Sequence, residues 1–172
     1  MIIKRSLAVA VLFALSGALL VSGGAQEAPE ATKAEKSNLL QEFTRSMSAE
    51  GITFDYILLN KETIDILFPE VQRPAMRARA NAGTMFFIQG VPTRNILQFD
   101  PRFTIRQGGE SYEGTVINIM NLKAGVLERG ARLQGLLQLG SKIDVTQSFT
   151  ISFSTATTEF RLSDNAIRIL AN

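Results

Sequence analysis

From Thr84 to the end of the chain, apolar and polar residues trade places about every second position. NILQF (95–99), FTIRQGGESYEGTVINIM (103–120), ARLQGLLQL (131–139) and KIDVTQSFTISF (142–153) carry this pattern in large part, and TMFFIQG (84–90) is a short apolar run that ends at a turn. A period of two sends alternate side chains to opposite faces of a pleated sheet, so each alternating segment predicts a half-buried strand, and the apolar run predicts a strand too. Gly90-Val91-Pro92, Asp100-Pro101 and the loop 121–130 punctuate them. The clearest hairpin is 103–120, where Gly108-Gly109 can adopt the positive φ angles of a two-residue turn. TEFRLSDNAIRIL (158–170) is expected to close the chain as two short strands joined near Asp164-Asn165.

The period changes before residue 84. Leu39, Leu40, Phe43 and Met47 fall on one helical face, Asn38 with Gln41 resembles a capping box, and Gly51 suits a helix end. These predict a helix over 39–49. TFDYILL (53–59) predicts the first strand. Asn60 can then cap a helix carrying Ile64, Leu67 and Phe68, which Pro69 ends, and Pro74 and Gly83 bracket another. Helical structure is therefore expected across 61–82.

Eight or nine short strands with turn signals every 8–12 residues predict a mainly β protein. No helix separates the strands after residue 83, which argues against parallel βαβ units. The expected fold is an immunoglobulin-like antiparallel β-sandwich, with an N-terminal helix and a short helical insertion after the first strand. A barrel is the alternative closure.

The first 25 residues differ from all of this. Lys4 and Arg5 precede an uncharged apolar run, Leu7–Val21, and small residues follow in Ser22-Gly23-Gly24-Ala25. That is the grammar of a secretory signal, cleaved after Ala25, and the run is short for a bilayer span. The expected organisation is a signal peptide at 1–25, a disordered polar linker at 26–37 and one domain at 38–172. The protein is expected in the periplasm or outside the cell, touching a membrane only if the signal is kept.

Removing Lys4 and Arg5 leaves 16 of the 18 basic residues against 16 acids, so the exported form is close to neutral. Nucleic-acid binding, which needs a basic excess, is not expected. The charge is nevertheless uneven. Residues 26–70 are acidic, and residues 71–109 hold six arginines and one acid, Asp100. Either the two blocks face each other or the second forms a surface for an acidic partner. Arg77 and Arg79 fall near a helix C-terminus, where the macrodipole favours cations by about 0.3–1 kcal/mol each. Arg73 has no such local reason. Arg102 and Arg106 lie four apart on a strand and share a face. Arg73, Arg94, Arg102 and Arg106 are the candidate contacts for an anion or a partner.

Catalytic chemistry is sparse. The chain has no histidine and no cysteine. This removes the commonest general base, thiol nucleophiles and the usual zinc sites. Ser141-Lys142 are neighbours that point to opposite faces on a strand, and no Ser-x-x-Lys pattern occurs. Glu110 and Glu113 flank a turn, Asp100 and Asp144 have no reason to meet, and Ser163-Asp164-Asn165 is too poor in acids for calcium. No cofactor, no metal and no enzymatic activity are expected. The expected function is an exported, non-enzymatic interaction or structural module of the cell envelope with a protein partner. The alternative is a periplasmic or secreted carrier whose Leu, Ile and Phe line a cavity for an apolar or anionic, lipid-like ligand, with a hydrolase a distant third.

Overall fold

The computed structural model describes residues 32–171. The expected signal and the first residues of the expected linker lie outside them. The protein is mainly β, as the alternation predicts. Its strands are β1 (Thr44–Ala49), β2 (Ile52–Leu58), β3 (Met85–Pro92), β4 (Ile96–Phe99), β5 (Phe103–Gln107), β6 (Glu110–Met120), β7 (Gly125–Leu127), β8 (Leu133–Gln138), β9 (Phe149–Phe153) and β10 (Ala156–Phe160). The helices are α1 (Lys33–Glu42), α2 (Lys61–Leu67), α3 (Arg73–Ala82) and α4 (Asp164–Leu170), with a short 3₁₀ turn at Glu70–Gln72 before α3.

The expected immunoglobulin-like pair of sheets is replaced by one eight-stranded antiparallel sheet, in the order β1-β2-β3-β8-β6-β5-β9-β10. Strand β6 is the hinge. Its first half, through Gly114, pairs with β5, and its second half, from Thr115, pairs with β8. At the changeover, a Cβ on Gly114 would fall 2.2 Å from Leu137 Cδ1. The missing side chain lets the strand bend closely over the core. The sheet folds onto itself until β1 and β10 nearly meet. Thr158 Oγ1 donates to the Ser46 carbonyl at 3.5 Å, and the Arg45 guanidinium donates to the Arg161 carbonyl and lies over the Phe160 ring. The result is a flattened, almost closed barrel.

Aromatic side chains fill its interior. Phe54 of β2 meets Phe103 of β5 and Phe153 of β9 edge-on, at 5.7 and 5.2 Å between ring centroids. Phe149 stacks on Phe160 at 4.9 Å, and Phe86 packs on both. A second apolar layer lies outside the β2–β3–β8 face. There Ile57, Met85, Phe87 and Leu136 are covered by Ile64 and Phe68, with Met76 of α3 against them. Each large apolar side chain so buried contributes about 1.5–3 kcal/mol.

Three sequence expectations are corrected. The helix expected at 39–49 sits earlier, at 33–42, and so takes in residues 33–37 of the expected linker. Thr32 and Glu35 form its capping box in place of Asn38 and Gln41. TRSMSA is strand β1, paired to β2 from Thr44↔Ile57 to Ala49↔Ile52. Ser46 and Ser48 point outward while Met47 and Ala49 are buried. Gly51 is no helix end: with Glu50 (φ 53°) and Gly51 (φ 82°) it makes a two-residue hairpin turn. At the other terminus, the second closing strand is helix α4. Its N-cap, Ser163, accepts a hydrogen bond from the Ala166 N–H at 3.0 Å.

The two ends of the barrel close differently. At one end the ribbon β4–β7 folds over the core, with Phe99 against Phe54 and Phe153. It is tied down by Thr93 N–H to the Gly51 carbonyl at 2.7 Å and Gly130 N–H to the Pro92 carbonyl at 2.8 Å. At the other end lie α4 and the loop after β8. Ile143 N–H donates to Thr84 Oγ1 at 3.0 Å, and Gln107 and Asp144 exchange hydrogen bonds at 2.7 and 3.0 Å.

Candidate functional site

The four candidate arginines do not converge. Arg73 has an internal role that sequence spacing did not reveal. Its Nε donates to the Phe68 carbonyl at the end of α2, at 3.0 Å, and lies 3.9 Å from Asp65. Arg106 stands on the outward face of β5, between Ser111 and Thr150 on the neighbouring strands. The core separates it from α3, because β5 packs on β2 from the side opposite to the helices. Arg102 lies just before β5, outside the strand, where it is held by Asp100 at 2.6 Å and is almost fully exposed. Arg94 follows β3 and lies along Gly51, its Nη2 reaching the Glu50 carbonyl at 3.4 Å.

Arg94 and Arg102 therefore bracket β4 at the ribbon end of the barrel. That end also collects apolar exposure. Leu97 and Val126 are 76% and 66% exposed. They follow and precede the paired residues Ile96↔Leu127 on the two strands of the ribbon, where the register shifts before Phe99↔Gly125, while Ile96, Phe99 and Leu127 pack inward. Val91, Ile119 and Met120, on the strand ends that lead into the ribbon, are also about half exposed.

The opposite end holds a pocket of about 490 Å³. Leu58 and Leu59 at the end of β2, Ile64 of α2, Ala80 of α3, Ile143 and Val145 of the loop, and Leu170 of α4 give it apolar walls. Its polar lining consists of Asn60, Lys61, Arg77, Asn81, Thr84 and Lys142, with no carboxylate. The sequence assigned Arg77 to the helix end. It does lie on α3, but it turns back to α2, where one of its NH₂ groups grips both Asp65 oxygens at 2.5 and 2.7 Å. The Arg77 Nε is buried without a partner among the described residues, and so is the Asn60 Nδ2, whose Oδ1 is committed to the Thr63 N–H. The one sequence signal for this site is that Lys61, Arg77 and Lys142 fall beside predicted element ends. Only the fold brings those ends together.

The groups considered for catalysis stand apart. Glu110 accepts from the Tyr112 hydroxyl, which raises the phenol's pKa. Hydrogen bonds from the Thr146 hydroxyl and N–H, and from Gln147, hold the Asp144 carboxyl below the usual carboxylate range. Asp144 is thus a turn residue, and Asp100 is occupied by Arg102. Among the described residues, no three acids are grouped so as to hold a metal ion, and no helix is long and apolar enough to cross a membrane.

No protein-family model and no curated protein matches the chain. Two solved structures share a partial outline. A functionally unknown protein from Listeria monocytogenes EGD-e is 10% identical, with a TM-score of 0.40 over 71% of this chain and 84% of that one. A DUF4426 family protein from Pseudomonas aeruginosa PAO1 is 12% identical, with a TM-score of 0.31 over 72% of this chain and 98% of that one. At these scores neither likeness assigns a family or a function.

Proposed function

We propose that the chain is an exported, non-enzymatic interaction module of the cell envelope, which docks a protein partner at the ribbon end of its barrel. One observation carries the reading: Leu97 and Val126, on the two strands of one ribbon, stand in solvent while the inner face of that ribbon is firmly anchored. Burying such a pair at the centre of an interface is favourable, and the flanking Arg94 and Arg102 supply charge at its rim. The filled aromatic interior supports the same reading, because it makes the scaffold rigid and leaves the central lumen unsuited to a ligand. The two faces of the flattened barrel then play the part of a sandwich, holding the ribbon and loops in place. The partner this surface fits offers apolar side chains with an acidic flank.

The test is cross-linking in intact cells of the native host, followed by native mass spectrometry of the envelope fraction. Wild type should give one defined complex with another protein. Leu97→Glu with Val126→Glu should lose it at unchanged Tm, and Arg94→Ala with Arg102→Ala should weaken it. A bare wild-type monomer, or a complex that survives the double glutamate variant, refutes the docking surface. The same spectra read the N-terminus. A chain starting at Gln26 supports export through a cleaved signal, and one retaining Met1 counts against it.

A further inference from the structure

We infer that the pocket at the helical end of the barrel binds a small amphiphilic anion, with a carboxylate-like head and a short apolar body. This site is separate from the docking ribbon and does not depend on it. Its size falls within the roughly 300–1,000 Å³ usual for small-molecule pockets. Its chemistry is one-sided. Lys61 and Lys142 are exposed at the pocket with no ion pair among the described residues. Arg77 adds a third cation, half answered by Asp65. No acid lines the pocket, so a cationic ligand would meet only like charge.

The two buried unpartnered groups have the same polarity. Arg77 Nε and Asn60 Nδ2 are both donors, both on lining residues, and neither has an acceptor. Both belong to side chains that line the pocket and are held in place there, Asn60 through its Oδ1 on the Thr63 N–H and Arg77 through its bonds to Asp65. A buried donor without a partner is costly, and a ligand oxygen removes that cost. The walls explain why the anion should carry a tail. Leu58, Leu59, Ile64 and Ile143 form buried backing to the walls, and Ala80, Val145 and Leu170 are the partly exposed apolar side chains among the lining. A bare inorganic anion would leave that surface wet.

The probe is decanoate, kept below its micellisation limit and titrated into the protein by calorimetry, with decyltrimethylammonium and inorganic phosphate as controls. Decanoate should bind one to one, and neither control should bind at comparable concentrations. Lys61→Glu with Lys142→Glu should weaken decanoate by about tenfold or more at unchanged Tm, since both lysines are exposed and each such factor is a modest change in free energy. Absence of decanoate binding overturns the inference, as does equal binding of the cationic amphiphile. Phosphate binding as tightly as decanoate would overturn the apolar part. An unchanged affinity in the folded double variant would place the anion elsewhere. The amphiphile comparison uses wild-type protein alone, so it decides the matter even if the variant fails to fold.

Discussion

Replacing Tyr56 by phenylalanine should stabilise this protein. Tyr56 stands on β2 with its ring wholly buried, 5.9 Å from Phe103 in an edge-on contact. Its hydroxyl has no hydrogen-bond partner among the described residues. A buried polar group without a partner costs about 1–3 kcal/mol of desolvation, and phenylalanine keeps the ring while removing the group. For a domain of this size the expected gain corresponds to a Tm rise of roughly 3–9 °C. The pH dependence gives a second, independent reading. Burial pushes the Tyr56 phenol well above its ordinary value of 10.0. A raised folded pKa means that the native state holds the proton more tightly than the unfolded chain. The corresponding stability is present below pH 10 and is lost as pH rises from there towards the folded pKa. The loss is about 1.4 kcal/mol per pH unit. Tyr56→Phe should flatten that alkaline fall by one titrating group. Urea unfolding of both proteins between pH 7 and 11 measures both effects. A variant less stable than wild type at pH 7 would show that the hydroxyl makes a worthwhile bond in solution. An unchanged alkaline slope would show that the phenol titrates normally.

Two further substitutions test the local corrections to the sequence reading. Glu50 sits at φ 53° in the β1–β2 turn, and a left-handed conformation costs most L-residues about 1–2 kcal/mol, less for asparagine. Glu50→Asn creates the favoured Asn-Gly turn and should raise stability by up to about 1 kcal/mol in urea unfolding; a loss would mean that the turn differs in solution. Ser163→Ala removes the cap of α4 and the hydroxyl that donates to Glu42 near the end of α1. It should cost about 1–2 kcal/mol, the upper part of the range for caps, and a change indistinguishable from zero would argue against α4 as a docked helix.

What the sequence showed depended on how local the deciding interaction was. Strand β5 was legible because alternation within one segment already states which face is buried, and β2, β3 and β8 because their runs of β-forming apolar residues, bounded by turn residues, are buried on both faces. The Gly108-Gly109 turn was legible because its φ angles, 58° and 88°, are a property of two residues. The segment 38–51 failed because two periods compete in it. Leu39, Leu40, Phe43 and Met47 satisfy a helix, while Met47 and Ala49 between serines satisfy a strand. Pairing with β2 decides for the strand from Thr44 onward, and that partner is invisible within the segment. The reverse happened at α4, where Ser163-Asp164-Asn165 reads equally well as a turn or a cap; Ala166, buried in the core, settles it. Closure of the sheet was not legible at all. It rests on β3–β8, β6–β8 and β5–β9, pairings between segments more than a dozen residues apart.

The arginines show the same limit in the electrostatics. The acidic and basic blocks do meet where Asp65 faces both Arg73 and Arg77. That contact withdraws Arg73 from the candidate surface and leaves Arg77 at the rim of a pocket. Arg94 and Arg102 are left as neighbours of one exposed ribbon because β4 lies between them. The filled core then separates two chemistries. One end of the barrel offers apolar side chains on a projecting ribbon, suited to a surface contact. The other offers a concave pocket without a carboxylate, in which the two buried unpartnered groups among the described residues are donors. Because rigid packing lies between them, a charge change at Lys61 and Lys142 should leave partner docking unaltered, and a glutamate pair on the ribbon should leave amphiphile binding unaltered. Loss of both functions from either pair of changes would mean that the core transmits strain, and the picture of two independent ends would have to be given up.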